Sequence, residues 1–273
     1  MIEVIAEIGW NHMGDMNIAK NMIEAAKDSG ATYAKFQTWS VNRLKNGEWD
    51  NDGRREIYTK AELSVDDHKT LIEHCNKVGI EFLSSVFSVP DARLLRDLGI
   101  DKVKIPSFEC RNKELIQFCD DNFSVVFMST GTSKWEEIKA SVKLFTKATL
   151  VLMHCVSSYP ADYKKANITK LAHLKTLYSP LVRVHVGYSD HIFGVESCKV
   201  AMGYGLSAIE KHFTVDRNLP GRDNKFAILP HEMKELTEYI KIFNEMHQFH
   251  GLDYQPCEEA SRTHYTGRFN KSA

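Results

Sequence analysis

No stretch of this chain approaches the ~20 apolar residues of a membrane span. Met1-Ile2-Glu3 runs straight into an apolar segment with no basic start, long apolar core or small-residue cleavage site. The expectation is a cytoplasmic chain. Charge of one sign is missing too. The net charge is −1 over 273 residues, with Lys and Arg spread along the length, which excludes a nucleic-acid or anionic-membrane surface as the organising feature. Binding must then come from a local site. The six cysteines (Cys75, Cys110, Cys119, Cys155, Cys198 and Cys257) include no CxxC pair, so they read as small buried hydrophobes rather than disulfides or zinc ligands. A glycine-rich phosphate loop is also absent, because Gly9-Trp10-Asn11-His12-Met13-Gly14 does not make GxGxxG. That counts against an open doubly wound sheet.

What the sequence does have is alternation. Hydrophobic residues make up 43% of it, enough for a large core. Short β-rich runs at 3–8, 33–37, 81–86, 102–106, 124–128, 150–155, 183–188 and 208–212 alternate with longer helix-patterned segments at 17–29, 66–78, 91–98, 113–119, 134–145, 168–178, 194–203 and 230–249. Ser133 precedes one helix, and Gly30, Gly79, Gly99 and Gly251 follow the ends of others. Eight alternations with no low-complexity linker predict a single (β/α)8 TIM barrel of the α/β class over residues 1–251. Insertions are expected at 38–63 and 157–167. Residues 252–273 form a polar tail carrying Arg262, His264, Arg268 and Lys271, read as partly disordered.

In such barrels the catalytic groups gather at the carboxyl ends of the strands. Every predicted strand ends in reactive residues: Glu7 with Asn11 and His12, Lys35 with Gln37, Ser84 and Ser85, Lys104 with Ser107 and Glu109, Ser129 and Thr130, His154 with Ser157 and Tyr159, Ser189 with Asp190 and His191, and Glu210 with His212. Glu7 and Lys35 read equally well as a salt bridge inside the barrel. Lys104 has no acid in its own strand. Lysines near Ser107, Ser129 and Ser189, with the backbone amides of Gly131 and Thr132 ahead of a helix, suit an anionic substrate bearing a phosphate and a carboxylate.

His191 and His212 end two runs one strand–helix unit apart, and neighbouring strands lie ~4.8 Å from each other. The two histidines are therefore expected to share a metal ion, with Asp190 and Glu210 as supporting or additional ligands. Two nitrogens plus oxygens from water and substrate suit Mn²⁺, Mg²⁺ or Co²⁺ better than a closed structural zinc. His68, His74, His173, His247 and His250 lie on helical patterns and read as surface residues. His185, in mid-strand, reads as a packing residue.

Taken in order, the strand-end motifs are AEIGWNHMGD at 6–15, AKFQTW at 34–39, FLSSVFS at 82–88, KIPSFEC at 104–110, MSTGT at 128–132, HCVSSYP at 154–160, GYSDH at 187–191 and EKHFT at 210–214, followed by PGRD at 220–223. With their spacing, they resemble the sialic acid synthase family, from Ile2 to about Phe249. The resemblance implies a transferase that condenses phosphoenolpyruvate with an N-acylated amino sugar to give a nonulosonic acid and phosphate. It implies that Lys35, Ser85, Lys104, Ser107, Ser129 and Ser189 hold the donor, and that His191 and His212 bind a divalent metal, usually Mn²⁺. It places Glu7, Gln37, Glu109, Tyr159 and Asp223 against the sugar, with Glu109 steering protons and Glu7 and Lys35 also in the catalytic group.

The sequence departs from that pattern at several points. Ser85 and Val86 stand where Thr-Pro is common, Ser157 where Asn is usual, and Arg222 where Pro often precedes Asp223. Family members usually carry a C-terminal antifreeze-like domain whose arginine reaches the sugar's acyl group, and no counterpart is recognised here. Arg222, Arg262 and Arg268 are expected to compensate. The resemblance also implies a homodimer, with a separate antifreeze-like protein as a further candidate partner. Two alternatives stay open on the residues alone: an aldolase forming a Schiff base through Lys35 or Lys104, and a barrel that binds a sugar phosphate without turnover.

Overall fold

The computed structural model describes residues 2–178 and 180–269. Eight parallel strands close on themselves in chain order, the first pairing with the last. In order the elements are β1 (Glu3–Gly9), α1 (Met16–Asp28), β2 (Tyr33–Thr38), α2 (Arg54–Ala61), α3 (Val65–Val78), β3 (Glu81–Val86), α4 (Val89–Asp97), β4 (Lys102–Ile105), α5 (Lys113–Asn122), β5 (Val125–Ser129), α6 (Trp135–Val142), β6 (Thr149–Cys155), α7 (Lys170–Tyr178), β7 (Val184–Asp190), α8 (Glu196–Met202), β8 (Ala208–His212), α9 (Pro230–Met246) and α10 (Glu259–Tyr265). The expected TIM barrel is present, and α2 and α10 are additions that the periodicity did not reveal.

Local chemistry explains the helix limits. The Asp15 carboxylate accepts from the Asn17 and Ile18 amides to start α1, which buries Ala19, Met22, Ile23 and Ala26 on one face. Ser64 and Asp67 cap α3 reciprocally, and Gly79 stops it in a left-handed conformation at φ 76°. α6 begins one residue later than Ser133 predicts, because Glu137 caps the Lys134 amide (2.7 Å). Thr237 of α9 donates to the Ser29 carbonyl (2.6 Å), tying the last helix to the first.

The core has two layers. Outward-facing strand residues such as Val4, Phe36, Val126 and Leu152 pack against the helices. Inside the barrel, Ile5, Tyr33, Leu83, Phe127, Val151, Met153 and Ala208 form an apolar plug. The polar strand ends stand above that plug.

Several expectations are corrected. His68 is fully buried rather than on the surface; its Nδ1 donates to the Ser64 carbonyl (2.8 Å), and its Nε2 meets Thr38 Oγ1 at 2.9 Å. His185 is exposed near the amino end of β7 rather than buried as a packing residue. Five cysteines are buried and free, but Cys257 is exposed. The tail holds the short exposed helix α10, with Arg262 over the Tyr254 ring at 4.5 Å and Arg268 over Tyr265 at 5.6 Å. Lys271 lies outside the described residues. No helix among them is long and apolar enough to cross a membrane.

Asp120 shows how one carboxylate holds a loop. Its two oxygens accept from the amides of Thr146, Lys147 and Ala148 and from the Thr146 hydroxyl. Burial opposes the charge, but these donors outweigh it and hold the carboxyl below its ordinary value. Asp120→Ala is expected to lower stability by about 2 kcal/mol in urea denaturation, because several amides lose a charged acceptor. With a depressed folded pKa, the stabilisation from the Asp120 charge is complete above the unfolded value of ~3.9 and is lost as pH falls through the lower folded one. The gap between wild type and Asp120→Asn should therefore be full at pH 7 and shrink on acidification. A gap that is constant or widens toward low pH would count against this reading.

Candidate active site

Parallel pairing in register puts paired residues on the same side of the sheet. Glu7 pairs with Lys35 and with His212, Gln37 with Ser85, Ser85 with Lys104, Cys155 with Ser189, and Ser189 with Glu210. All these side chains project inward above the apolar plug. They line a cavity of about 500 Å³ at the carboxyl end of the barrel.

The cavity floor is a buried charge network. Lys35 Nζ lies 2.5 Å from Glu7 Oε2 and donates to Ser85 Oγ at 2.8 Å. Gln37 Nε2 donates to the other Glu7 oxygen at 2.5 Å. Lys104, which lacked a partner in its own strand, finds one across the barrel: its Nζ donates to Glu210 Oε2 at 2.8 Å, and Lys35 stands 3.8 Å from the same oxygen. Ser189 donates to the second Glu210 oxygen at 3.1 Å. Burial works against charge on Glu210, but Lys104 and Lys35 outweigh it and hold the carboxyl at about 2. Burial also pulls the Lys104 amine down, against Glu210. With the carboxyl so low, the pair stays ionic. Burial pushes Glu7 up, with Lys35 opposing.

Ser107 Oγ accepts from the Gly131 amide at 3.1 Å, so that amide is already engaged. A Cβ on Gly131 would lie 2.2 Å from Ser157 Oγ and 2.8 Å from Ser107 Oγ, so any side chain there would have to displace both hydroxyls. Ser129 Oγ is buried, faces the cavity and has no hydrogen-bond partner in the protein.

His191 and His212 meet at the cavity wall with ring centroids 5.3 Å apart. His191 Nδ1 donates to the Val156 carbonyl at 2.8 Å, which leaves Nε2 with a free lone pair. His212 Nδ1 is buried without a hydrogen-bond partner, and Asp223 Oδ2 lies 3.4 Å from it. Burial, reinforced by His191, keeps the His212 imidazole well below its ordinary pKa, in the neutral form a metal requires. Burial likewise pushes Asp223 up to about 6, with Glu7 adding to the effect. On His191 and Cys155 burial is opposed by their mutual attraction across 3.9 Å, so the imidazole is raised and the thiol lowered. No group of three or more His, Cys, Asp and Glu converges on one point among the described residues. Two adjacent imidazoles, His212 held neutral with an orphaned buried nitrogen, fit a divalent ion whose other positions stay open to oxygen ligands.

Two expected supports for that ion stand elsewhere. Glu210 points into the lysine network. Asp190 points outward, bonding Lys211 Nζ (2.9 Å), the Ser197 and Tyr188 hydroxyls (2.6 and 2.9 Å) and the Ile192 amide (3.0 Å). Strand alternation accounts for Asp190, since its neighbours Ser189 and His191 take the inward positions. Ser84, Thr130 and His154 also face away from the cavity: Ser84 bonds Thr38, Thr130 bonds the Met153 carbonyl, and His154 stacks on Tyr188.

Of the predicted site residues, Glu7, Lys35, Gln37, Ser85, Lys104, Ser107, Ser129, Tyr159, Ser189, Arg222, Asp223, His191 and His212 share the cavity. Glu109 is the exception. It sits on a single helical turn after β4, and its carboxylate accepts from Asn112 Nδ2 at 2.8 Å, outside the cavity lining. Arg262 and Arg268 also lie outside it. The structure adds Arg54 and Tyr58 from α2, where no sequence pattern pointed to a site. Cys155 is added too, and its inward parity after Met153 was a legible signal. Trp10, Trp39, Phe87 and Tyr58 pack edge to edge, with Trp10 and Tyr58 at 5.1 Å, and seat α2 beside the cavity mouth.

Comparison with known proteins places this geometry. The NeuB family model matches residues 22–250. N,N'-diacetyllegionaminic acid synthase from Legionella pneumophila is 36% identical over 256 residues, covering 87% of this chain and 71% of that one. Pseudaminic acid synthase from Helicobacter pylori is 30% identical, covering 88% and 73%. The crystal structure of N-acetylneuraminic acid synthetase from Leptospira borgpetersenii, in complex with citrate, superposes with a TM-score of 0.87 at 33% identity, covering 99% of this chain and 93% of that one.

The charge network makes a direct prediction. Glu210→Leu strands the buried Lys104 ammonium group, while Lys35 keeps Glu7, and is expected to cost about 3–5 kcal/mol in urea denaturation. Glu210→Leu with Lys104→Met should cost less than Glu210→Leu alone, since the second change removes the orphaned charge. A double variant less stable than the single would refute the pairing.

Proposed function

The chain belongs to the NeuB family of nonulosonic acid synthases, which are transferases, and on that premise we propose that it condenses phosphoenolpyruvate with an open-chain N-acylated amino sugar. The balance is donor plus aldehyde plus water, giving a 2-keto-3-deoxy sugar acid and inorganic phosphate. The observation that carries the reading is the convergence, in one cavity, of Lys35 and Lys104, four serines and the His191–His212 pair.

In this reading Lys35 and Lys104, with Ser85, Ser107, Ser129 and Ser189, hold the phosphate and carboxylate of the donor. The partnerless Ser129 hydroxyl supports that role. The apolar plug and the cavity walls exclude bulk water, which strengthens each charge contact. A divalent ion held by His191 and His212, Mn²⁺ or else Mg²⁺ or Co²⁺, would supply Lewis-acid polarisation of the acceptor carbonyl. C3 of the enol attacks the aldehyde carbon, water adds at C2, and phosphate leaves by C–O cleavage. Glu7 is the carboxyl best placed to exchange a proton with an acceptor oxygen, because burial raises it and Gln37 orients it. Glu109 joins the acceptor only by giving up Asn112. Tyr159, whose ring lies 4.1 Å from that of His191, walls the acceptor side with Asp223.

One observation favours a second reading: burial depresses the Lys104 amine, as a Schiff-base lysine requires. Borohydride with pyruvate separates the two. The synthase reading expects no covalent adduct on Lys104 or Lys35, and a trapped adduct with EDTA-insensitive activity would overturn it.

The test of function is mass spectrometry of products from phosphoenolpyruvate, Mn²⁺ and a panel of amino-sugar acceptors. One phosphate should be released per product molecule. His191→Ala and His212→Ala are each expected to cut phosphate release more than ~10³-fold while circular dichroism and melting temperature stay close to wild type. Undiminished turnover in either variant would remove the metal assignment.

A further inference from the structure

We propose that the acceptor carries an anionic group, a phosphate ester or a carboxylate, at the end remote from its aldehyde, and that Arg222, Lys225 and Arg54 receive it at the cavity rim. The proposal rests on the synthase reading of the same cavity and names the class of acceptor.

The argument is one of charge against depth. At the floor every cation has its own acid: Lys35 has Glu7 and Lys104 has Glu210. At the wall the His212 ring is held neutral and faces Asp223. The rim breaks this balance. Arg222 and Lys225 come from the segment between β8 and α9, both exposed and both lining the cavity, and neither makes a hydrogen bond or ion pair among the described residues. Asp223, between them in sequence, turns inward toward His212 and forms an ion pair with neither.

A third cation reaches the same rim from a separate insertion. Arg54 of α2 lines the cavity and is held by Asp52 at 2.7 Å. Arg54 and Arg222 line the same cavity, with Tyr58 among the residues beside them. Two loops far apart in sequence thus bring guanidinium groups to one edge, beside the aromatic surfaces of Tyr58 and Phe226. A neutral polyol calls for a mixture of donors and acceptors, whereas this edge offers donors with fixed positive charge. Guanidinium forks match the paired oxygens of phosphate or carboxylate. The aldehyde belongs at His191 and His212 below, so the charged end is the far one.

The experiment uses the full chain with Mn²⁺. The probes are N-acetylhexosamines of manno and gluco configuration, each as the neutral sugar, the 6-phosphate and the 6-carboxylate. Calorimetric binding is measured beside phosphate release from phosphoenolpyruvate. The anionic forms should bind at least ~30-fold more tightly than the neutral ones. Between phosphate and carboxylate, the tighter form identifies the group. In Arg222→Ala/Lys225→Ala, checked for an unchanged melting temperature, that preference should fall to within a few-fold. The acceptor KM should move more than the KM for phosphoenolpyruvate.

Equal or tighter binding of the neutral sugars overturns the proposal. So does a double variant that raises the KM for phosphoenolpyruvate more than the acceptor KM, because the rim then serves the donor. Anion-dependent binding without phosphate release from any acceptor would sustain the rim site and overturn the synthase reading instead.

Discussion

The arrangement of this barrel turns on one carboxylate. Glu210 lies almost wholly out of water, where an isolated charge is costly, and it remains charged because Lys104 and Lys35 approach it from β4 and β2. Remove it, and the Lys104 ammonium is left without an acid above an apolar plug, while Lys35 keeps Glu7. The same carboxylate joins the last strand to two early ones across the interior, so the electrostatics of the site and the closure of the fold are one problem. The lysines are also held at fixed positions before any ligand arrives, which lowers the reorganisation cost when an anion binds.

The two histidines are set by packing as much as by hydrogen bonds. Tyr159 and Phe226 crowd the His212 ring, with centroids at 6.0 and 5.0 Å, while the Val156 carbonyl fixes the tautomer of His191. On the outside of the sheet, Asp190 and Lys211 form a second buried pair between the residues that precede the two histidines. The imidazoles are therefore braced from behind by a contact that never enters the cavity.

Much of the fold was legible because both faces of each strand are buried, giving short apolar runs between helical periods. The inward site residues were legible for a related reason: a polar side chain in such a run must have a purpose or a partner. The structure departs from the expected placements where that logic does not apply. Glu109 sits on a helical turn, where the strand's alternation no longer sets side-chain direction. Asp190 has the wrong parity for the cavity. His68 was placed on the surface by its helix, yet it serves a hydrogen-bonded contact with Thr38 that depends on the neighbouring strand. Arg54 and Tyr58 lie in a polar insertion, and only tertiary packing of Tyr58 against Trp10 and Trp39 brings them to the mouth.

Adjacent residues of β8 carry opposite charges to opposite faces: Glu210 to the two inner lysines, Lys211 to the outer Asp190. A strand that slipped by one position would exchange its faces. Lys211 would then join Lys35 and Lys104 inside, and Glu210 would confront Asp190 outside, a collision of like charges on both sides at once. Apolar alternation alone would penalise such a slip only through packing. The pair Glu210-Lys211 makes it electrostatically forbidden, so the step that seals the barrel carries its own proofreading.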